Sequence, residues 1–348
     1  QPRSNRFMLI VGSAIVVAAL LYIARGALFP FIVAGVLGYA LAPLVKRLEH
    51  LMPWNERWPN FSRVVSVLFI YLLVIGVVVG ALAFIVPPAF GEARDFVDEV
   101  PELYKQARTT IESWNKEYTD RVPEELRSEI ELQVGNIGSV LISVAGTVLA
   151  RTVSGVSNTL TLVISLAIVP LFLFYVLKDH EVALSAFYSV FPERARRHVR
   201  NVLRIADRTL GAYIRGQLIL AVAVGLLVFA GLTLLGIRFT VLLALVAGVT
   251  ELIPVIGPIL GAVPAVLVTL ATSPGDLIWV LLLYLVVQQV ENILLVPRVQ
   301  GEAVNIHPAF ILVILVVGSE TAGLWGMVVA VPLAGVAKDV FRYLYNEW

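Results

Sequence analysis

The chain has 348 residues, 59% hydrophobic and 15% charged, with a net charge of +1 and a mean hydropathy of +0.87. Soluble domains carry roughly 45–50% apolar and about 25% charged residues, which excludes an ordinary soluble protein. The near-neutral balance gives no reason to invoke nucleic acid, and the absence of cysteine removes disulfides, thiol catalysis and thiolate metal sites.

The apolar residues gather in separate runs, each near the roughly 17–25 residues a bilayer-spanning helix needs. They predict an all-α polytopic membrane protein with about eight transmembrane helices. The expected spans are Phe7–Ala24, Ala27–Val45, Val64–Val86, Thr159–Leu177, Gln217–Leu235, Phe239–Ala271, Leu277–Val296 and Ala309–Ala337. Phe7–Ala24 lacks a cleavage region and reads as a first span, so residues 1–88 hold spans one to three. The sixth and eighth runs are long, which requires tilt, a break or a partly re-entrant path.

Residues 89–138 are polar, acids outnumber bases between Glu92 and Glu131, and prolines are confined to Pro101 and Pro123. A small external helical arm is expected there. Residues 139–177 open with Ser139, Ser143, Gly146, Ala150, Ser154 and Asn158 near one helical face and continue into span four. Such small residues serve as a packing seam or, on a sharper reading, line a polar pathway.

Residues 178–210 form a basic amphipathic cytoplasmic segment. From Pro192, it sets Val199, Val202, Leu203, Ala206 and Leu210 on one face and Arg197, Arg200, Arg204 and Arg208 on another. It either rests on the anionic inner leaflet or is a connector packed on protein. Lysine and arginine crowd this segment, the segment between spans two and three and both ends of the chain. The positive-inside rule then sets a multi-pass protein in the plasma (inner) membrane with both termini cytoplasmic.

The transmembrane core at 211–348 holds the unusual chemistry. In "ELIPVIGPILGAVP", Pro254, Gly257, Pro258, Gly261 and Pro264 interrupt the apolar run, predicting a broken helix around 251–264, re-entrant or kinked. Broken backbone at membrane depth is tolerated only where protein or a wet cavity satisfies it, and transporters build midplane sites from such breaks. Glu251 opens the break, either as a pathway residue or as a cap at a half-helix end. Downstream, Gln288, Glu291 and Asn292 share one stripe of an otherwise apolar helix, which should face the bundle interior. Pro297, Gly301 and Pro308 then bracket a loop carrying Arg298, Glu302 and His307, an interfacial turn or a gate.

Residues 311–332 echo this region weakly: Gly248, Glu251, Gly257 and Pro264 correspond to Gly318, Glu320, Gly326 and Pro332. The match reflects either an internal repeat or the ease with which apolar segments align. The four histidines lack metal-ligand spacing, and no Walker A, GxSxG or HExxH motif is present, so neither a cofactor nor an enzymatic role is expected.

The segments "ELIPVIGPILGAVP", "QQVENILLVPRVQGEAVNIHP" and "GLWGMVVAVPLAGVAK", with "YIRGQ" at Tyr213–Gln217, resemble the hallmark segments of the autoinducer-2 exporter family. The resemblance implies a plasma-membrane permease of about eight spans without an ATPase domain. It also implies export of autoinducer-2, or sodium (lithium)/proton antiport as in some members, and a homo-oligomer. The leading expectation is thus a secondary transporter or facilitated exporter of a small polar solute, with Glu251, Gln288, Glu291 and Asn292 beside the pathway. The alternatives are a monovalent cation/proton antiporter using Glu251, Glu291 and Glu320, and a non-transporting scaffold or receptor whose acidic arm binds a partner.

Overall fold

The computed structural model describes residues 29–52, 58–117, 159–301 and 306–347. The expected span Phe7–Ala24, the later part of the acidic arm, the seam from Ser139 to Asn158, and Glu302 lie outside the described residues. Among those described, every regular element is a helix, and the chain divides into two compact units.

The first unit contains α1 (Phe29–Leu51), the start of α2 (Pro59–Glu117) as far as Ile75, and α3 (Thr159–Ser189). Ala34, Leu41 and Val45 form a stripe on α1 that packs with Val67 and Ile70 of α2 and Leu173 and Leu177 of α3. Gly38 permits this approach, because a Cβ there would stand 3.0 Å from Val176 Cγ1. Arg63 ties α2 to α3, donating to the Leu177 carbonyl at 3.3 Å and pairing with Glu181 at 3.3 Å.

The second unit holds α2 from Gly76 onward, α4 (Glu193–Leu234), α5 (Thr240–Thr250), α6 (Gly257–Thr272), α7 (Leu277–Val290), a π-helical turn (Glu291–Leu295), α8 (Val296–Val299) and α9 (Pro308–Glu347). Its core joins Phe96, Val100 and Leu103 of α2 to Val224, Val228 and Leu232 of α4, with Leu243, Val268 and Val280 from the following helices. The acidic arm therefore begins as an unbroken continuation of span three. Its apolar stripe is packed in the core, and Glu92 and Glu99 beside that stripe reach the start of α5 while Asp95, Asp98 and Glu102 are exposed.

The sixth expected span is two helices. At about 16 Å for α5 and about 24 Å for α6, neither crosses the roughly 30 Å hydrocarbon core. The two arms double back on each other: a Cβ on Gly261 would stand 2.9 Å from Ala247 Cα, and one on Gly257 would strike the Thr250 carbonyl. Residues 251–256 make the tip, where Val255 takes a left-handed φ of 68°. The break is narrower than the prolines suggested. Pro258 occupies the first turn of α6, where its missing N–H costs nothing, and Pro264 is accommodated inside the helix.

The eighth expected span behaves likewise. Ala322 and Gly323 leave helical geometry, Gly323 with φ 60°. A Cβ on Gly318 would stand 2.6 Å from the Gly326 carbonyl and 2.8 Å from Ala330 Cβ. Residues eight apart in a straight helix lie about 12 Å apart, so α9 is also a hairpin. The glycines aligned by the weak internal echo, Gly257 and Gly326, perform the same task in the two hairpins.

α4 continues from the basic segment into the apolar run without interruption. Thr209 Oγ1 donates to Asp339 Oδ2 at 3.0 Å, and Asn201 Nδ2 donates to the Tyr343 hydroxyl at 3.0 Å. One side of this segment is thus packed on the end of α9, while Arg197, Arg204 and Arg208 are exposed. Many large apolar side chains, including Leu226, Leu285 and Val316, are also exposed, as expected where acyl chains are the solvent.

Candidate solute or ion site at the hairpin tip

α5 ends because the chain must turn, and Glu251 is the first residue past its last turn. Its N–H still donates to the Ala247 carbonyl at 3.0 Å, while its side chain is only 2% exposed. From α4, Gln217 Nε2 donates to the Glu251 carbonyl oxygen, satisfying backbone that the turn releases. Gln217 Oε1 in turn accepts from Gln300 Nε2 at 2.8 Å. Gly216 makes room for that amide, since a Cβ there would meet Gln300 Cγ at 2.5 Å. Three elements distant in sequence are thereby pinned at one point.

Glu291 arrives from α7. The helix changes to a π-helical turn at this residue, a local widening that recurs at functional sites. The Glu291 side chain is buried, and Gln288 Nε2 donates to its Oε2 at 3.2 Å. The Glu251 and Glu291 carboxyl groups are neighbours, close enough for mutual electrostatic interaction. Among the described residues, neither takes part in an ion pair.

Tyr213, one turn before Gln217 on α4, stands close enough to sense the Glu251 charge. Both the Tyr213 hydroxyl and Glu251 Oε2 are buried and, among the described residues, find no hydrogen-bond partner. Around them Tyr213, Ile253, Leu315 and Val331 form an apolar cluster joining the first hairpin's tip to both arms of the second. Unsatisfied polar atoms in such a setting are costly.

Of the residues singled out in the sequence, Glu251, Gln288 and Glu291 come together. Asn292 is exposed, because the π-helical turn changes the winding at Glu291 and carries the next residue away from the Gln288 stripe. Glu320 is exposed near the bend of α9 and takes no part in the cluster. Pro254 is at the tip. Pro297 and Pro308 are exposed, at α8 and at the start of α9, and Gly301 closes α8 with φ 55°. Sequence reasoning missed Tyr213, Gln217 and Gln300 as site residues. Their signal was available in part, since Tyr213 and Gln217 stand one turn apart at the edge of an apolar run.

Among the described residues, no group of three or more histidine, cysteine, aspartate or glutamate side chains converges to hold a metal ion. Two carboxyls, three amides and a phenol can instead hold a proton, a monovalent cation or a hydrogen-bond-donating solute.

Residues 11–346 match the model of a family described as AI-2E family transporter. The chain is 31% identical over 325 residues to the Bacillus subtilis (strain 168) protein named "Putative transport protein YueF", an alignment covering 90% of this chain and 83% of that one. It is 29% identical over 326 residues to "Putative permease PerM" of Escherichia coli (strain K12), covering 93% and 89%.

Proposed function

The chain belongs to the AI-2E transporter family, and from that premise we propose that it moves a small solute past the Glu251–Glu291 pair by secondary transport or facilitated efflux. Its relatives are named for transport, and it is an integral membrane protein rather than an enzyme. The observation that carries the reading is the buried acid pair at a hairpin tip, with no basic partner and with Glu251 Oε2 unsatisfied among the described residues. Ionisable groups kept at membrane depth are costly, and pathways for ions, protons or substrates are their usual reason.

We infer a topology that suits this role. With the basic start of α4 in the cytoplasm, α4 leads outward and the α5–α6 hairpin enters from the outer face. The α7–α8 stretch then returns inward, and the α9 hairpin enters from the cytoplasmic face. Hairpins entering from opposite sides meet near the midplane, where discontinuous helices form transport sites. Both termini are then cytoplasmic in a prokaryotic inner membrane, and a homo-oligomer is consistent with the exposed apolar faces.

Hydroxyl-rich autoinducer-2 is the candidate solute that the family resemblance suggests, since its donors match the carboxyl and amide acceptors. A second reading is sodium (lithium)/proton antiport, favoured by the proximity of two acids that pair with no base among the described residues. Reconstitution into liposomes separates them. Sodium-driven proton movement lost in Glu251→Gln and Glu291→Gln supports antiport, whereas flux of labelled autoinducer-2 lost in the same variants supports the exporter. Neither activity, or activity indifferent to both substitutions, removes the site from the mechanism.

A further inference from the structure

Beside the carboxyl pair lies a second feature of different chemistry. A crevice of about 370 Å³ runs along one face of α6, where Pro258, Ala262, Val266 and Leu270 recur at every fourth residue. Ala107 of α2 and Tyr284 and Gln288 of α7 complete its lining. From Pro258 to Leu270 it extends about 18 Å, slightly more than half of the roughly 30 Å hydrocarbon core.

The lining is apolar except at two points. The Tyr284 hydroxyl is already committed, donating to the Gly261 carbonyl at 3.2 Å. Gln288 is different. It lines the crevice, and its amide donates to Glu291 Oε2, so the crevice has a polar residue beside the acid pair. An amide carries two donors and an acceptor, and a single bond to Glu291 leaves capacity for a ligand.

We propose that this crevice binds a single-chain amphiphile with a hydrogen-bond-donating head, such as a long-chain alcohol or amine, its chain along α6 and its head at Gln288. A hydroxyl-rich solute would lose its water along most of this length and find nothing to replace it. A carboxylate or phosphate head would face Glu291 with the wrong charge. The shape calls for a chain, and the acid-flanked end selects the head. The site is therefore distinct in kind from one for autoinducer-2, and it stands on the crevice geometry whether or not the acid pair conducts.

Photolabelling tests it with the full chain in phosphatidylcholine nanodiscs. The probes are hexadecanol carrying a mid-chain diazirine and the matching sixteen-carbon fatty acid at pH 8. The alcohol is expected to label Pro258–Leu270 about fivefold more than the acid, the worth of one hydrogen bond. Unlabelled hexadecanol should displace it, and Gln288→Leu should abolish the preference while retaining the label. Filling the crevice with Ala262→Trp or Val266→Trp should remove the label, and the competition in the unaltered chain remains decisive if those variants fail to fold. Equal labelling by both probes would reduce the crevice to an ordinary resting place for lipid tails and overturn the proposal. So would label spread over lipid-facing residues such as Leu226 and Leu285 without enrichment on α6.

Discussion

Glu92 Oε2 accepts a hydrogen bond from the Leu242 backbone N–H at 2.8 Å, so α2 caps a helix 150 residues away in sequence. α5 needs this service. Its own capping position is Phe239, held in the left-handed region at φ 59° and without a side-chain acceptor. The first N–H groups of a helix have no partners within it, and the positive end of its dipole favours a carboxylate. The neighbouring Glu99–Arg238 bridge, 2.8 Å long, fastens the same corner.

Removing the cap should loosen the first hairpin at its base. Glu92→Ala is expected to destabilise the fold by about 0.5–2 kcal/mol, the usual cost of losing a capping acceptor. Glu92→Gln should lose less, because its amide oxygen still accepts. Thermal unfolding in detergent, with amide exchange across Thr240–Thr250, provides the measurement. Glu99→Gln should cost at most about 1 kcal/mol, since that pair is substantially exposed.

The two hairpins depend on bare backbone. Gly257→Ala and Gly326→Ala each drive a methyl group into the carbonyl of the opposing arm, with an expected cost of about 1–3 kcal/mol through overpacking. Gly275→Ala meets nothing within 4 Å and serves as the neutral comparison. Unfolding midpoints that move equally in all three would contradict the doubled-back geometry.

Gln217 links Glu251 to Gln300, and Gln217→Leu would strip partners from both. A buried carbonyl left unsatisfied costs about 1–3 kcal/mol, and the half-buried Gln300 amide costs less. Transport should fall together with stability, and Gln300→Leu should reproduce part of the loss. Additive effects of the two substitutions would argue against a shared network, because residues in one network are coupled.

The acid pair should dominate function while leaving the fold largely intact. Glu291→Gln and Glu251→Gln are expected to lower flux by about tenfold or more, with the double variant little worse than either single one. Asn292→Ala and Glu320→Gln should retain near-normal rates, as both side chains are exposed and apart from the cluster. Liposome flux normalised to folded protein checks all five variants.

Membrane residence, helical class and the presence of unusual chemistry between residues 251 and 291 follow from the sequence by itself. Uninterrupted apolar runs, and acids where lipid makes them costly, carry that information locally. Direction of packing was not legible in the same way. In water an apolar stripe reveals the buried face, but beside lipid the outer face is apolar too.

Tertiary structure decided how the long runs were used. Phe239–Ala271 contains enough residues to cross the bilayer, and length alone fitted a kinked span as well as a hairpin. The choice rests on contacts such as Gly261 against Ala247, which sequence spacing does not encode. It also gathered Tyr213, Gln217, Glu251, Glu291 and Gln300 while sending Asn292 outward. A helical stripe reports neighbours three or four residues apart, whereas this cluster is made by the tip of one hairpin meeting a locally widened helix, a relationship fixed only when the chain packs.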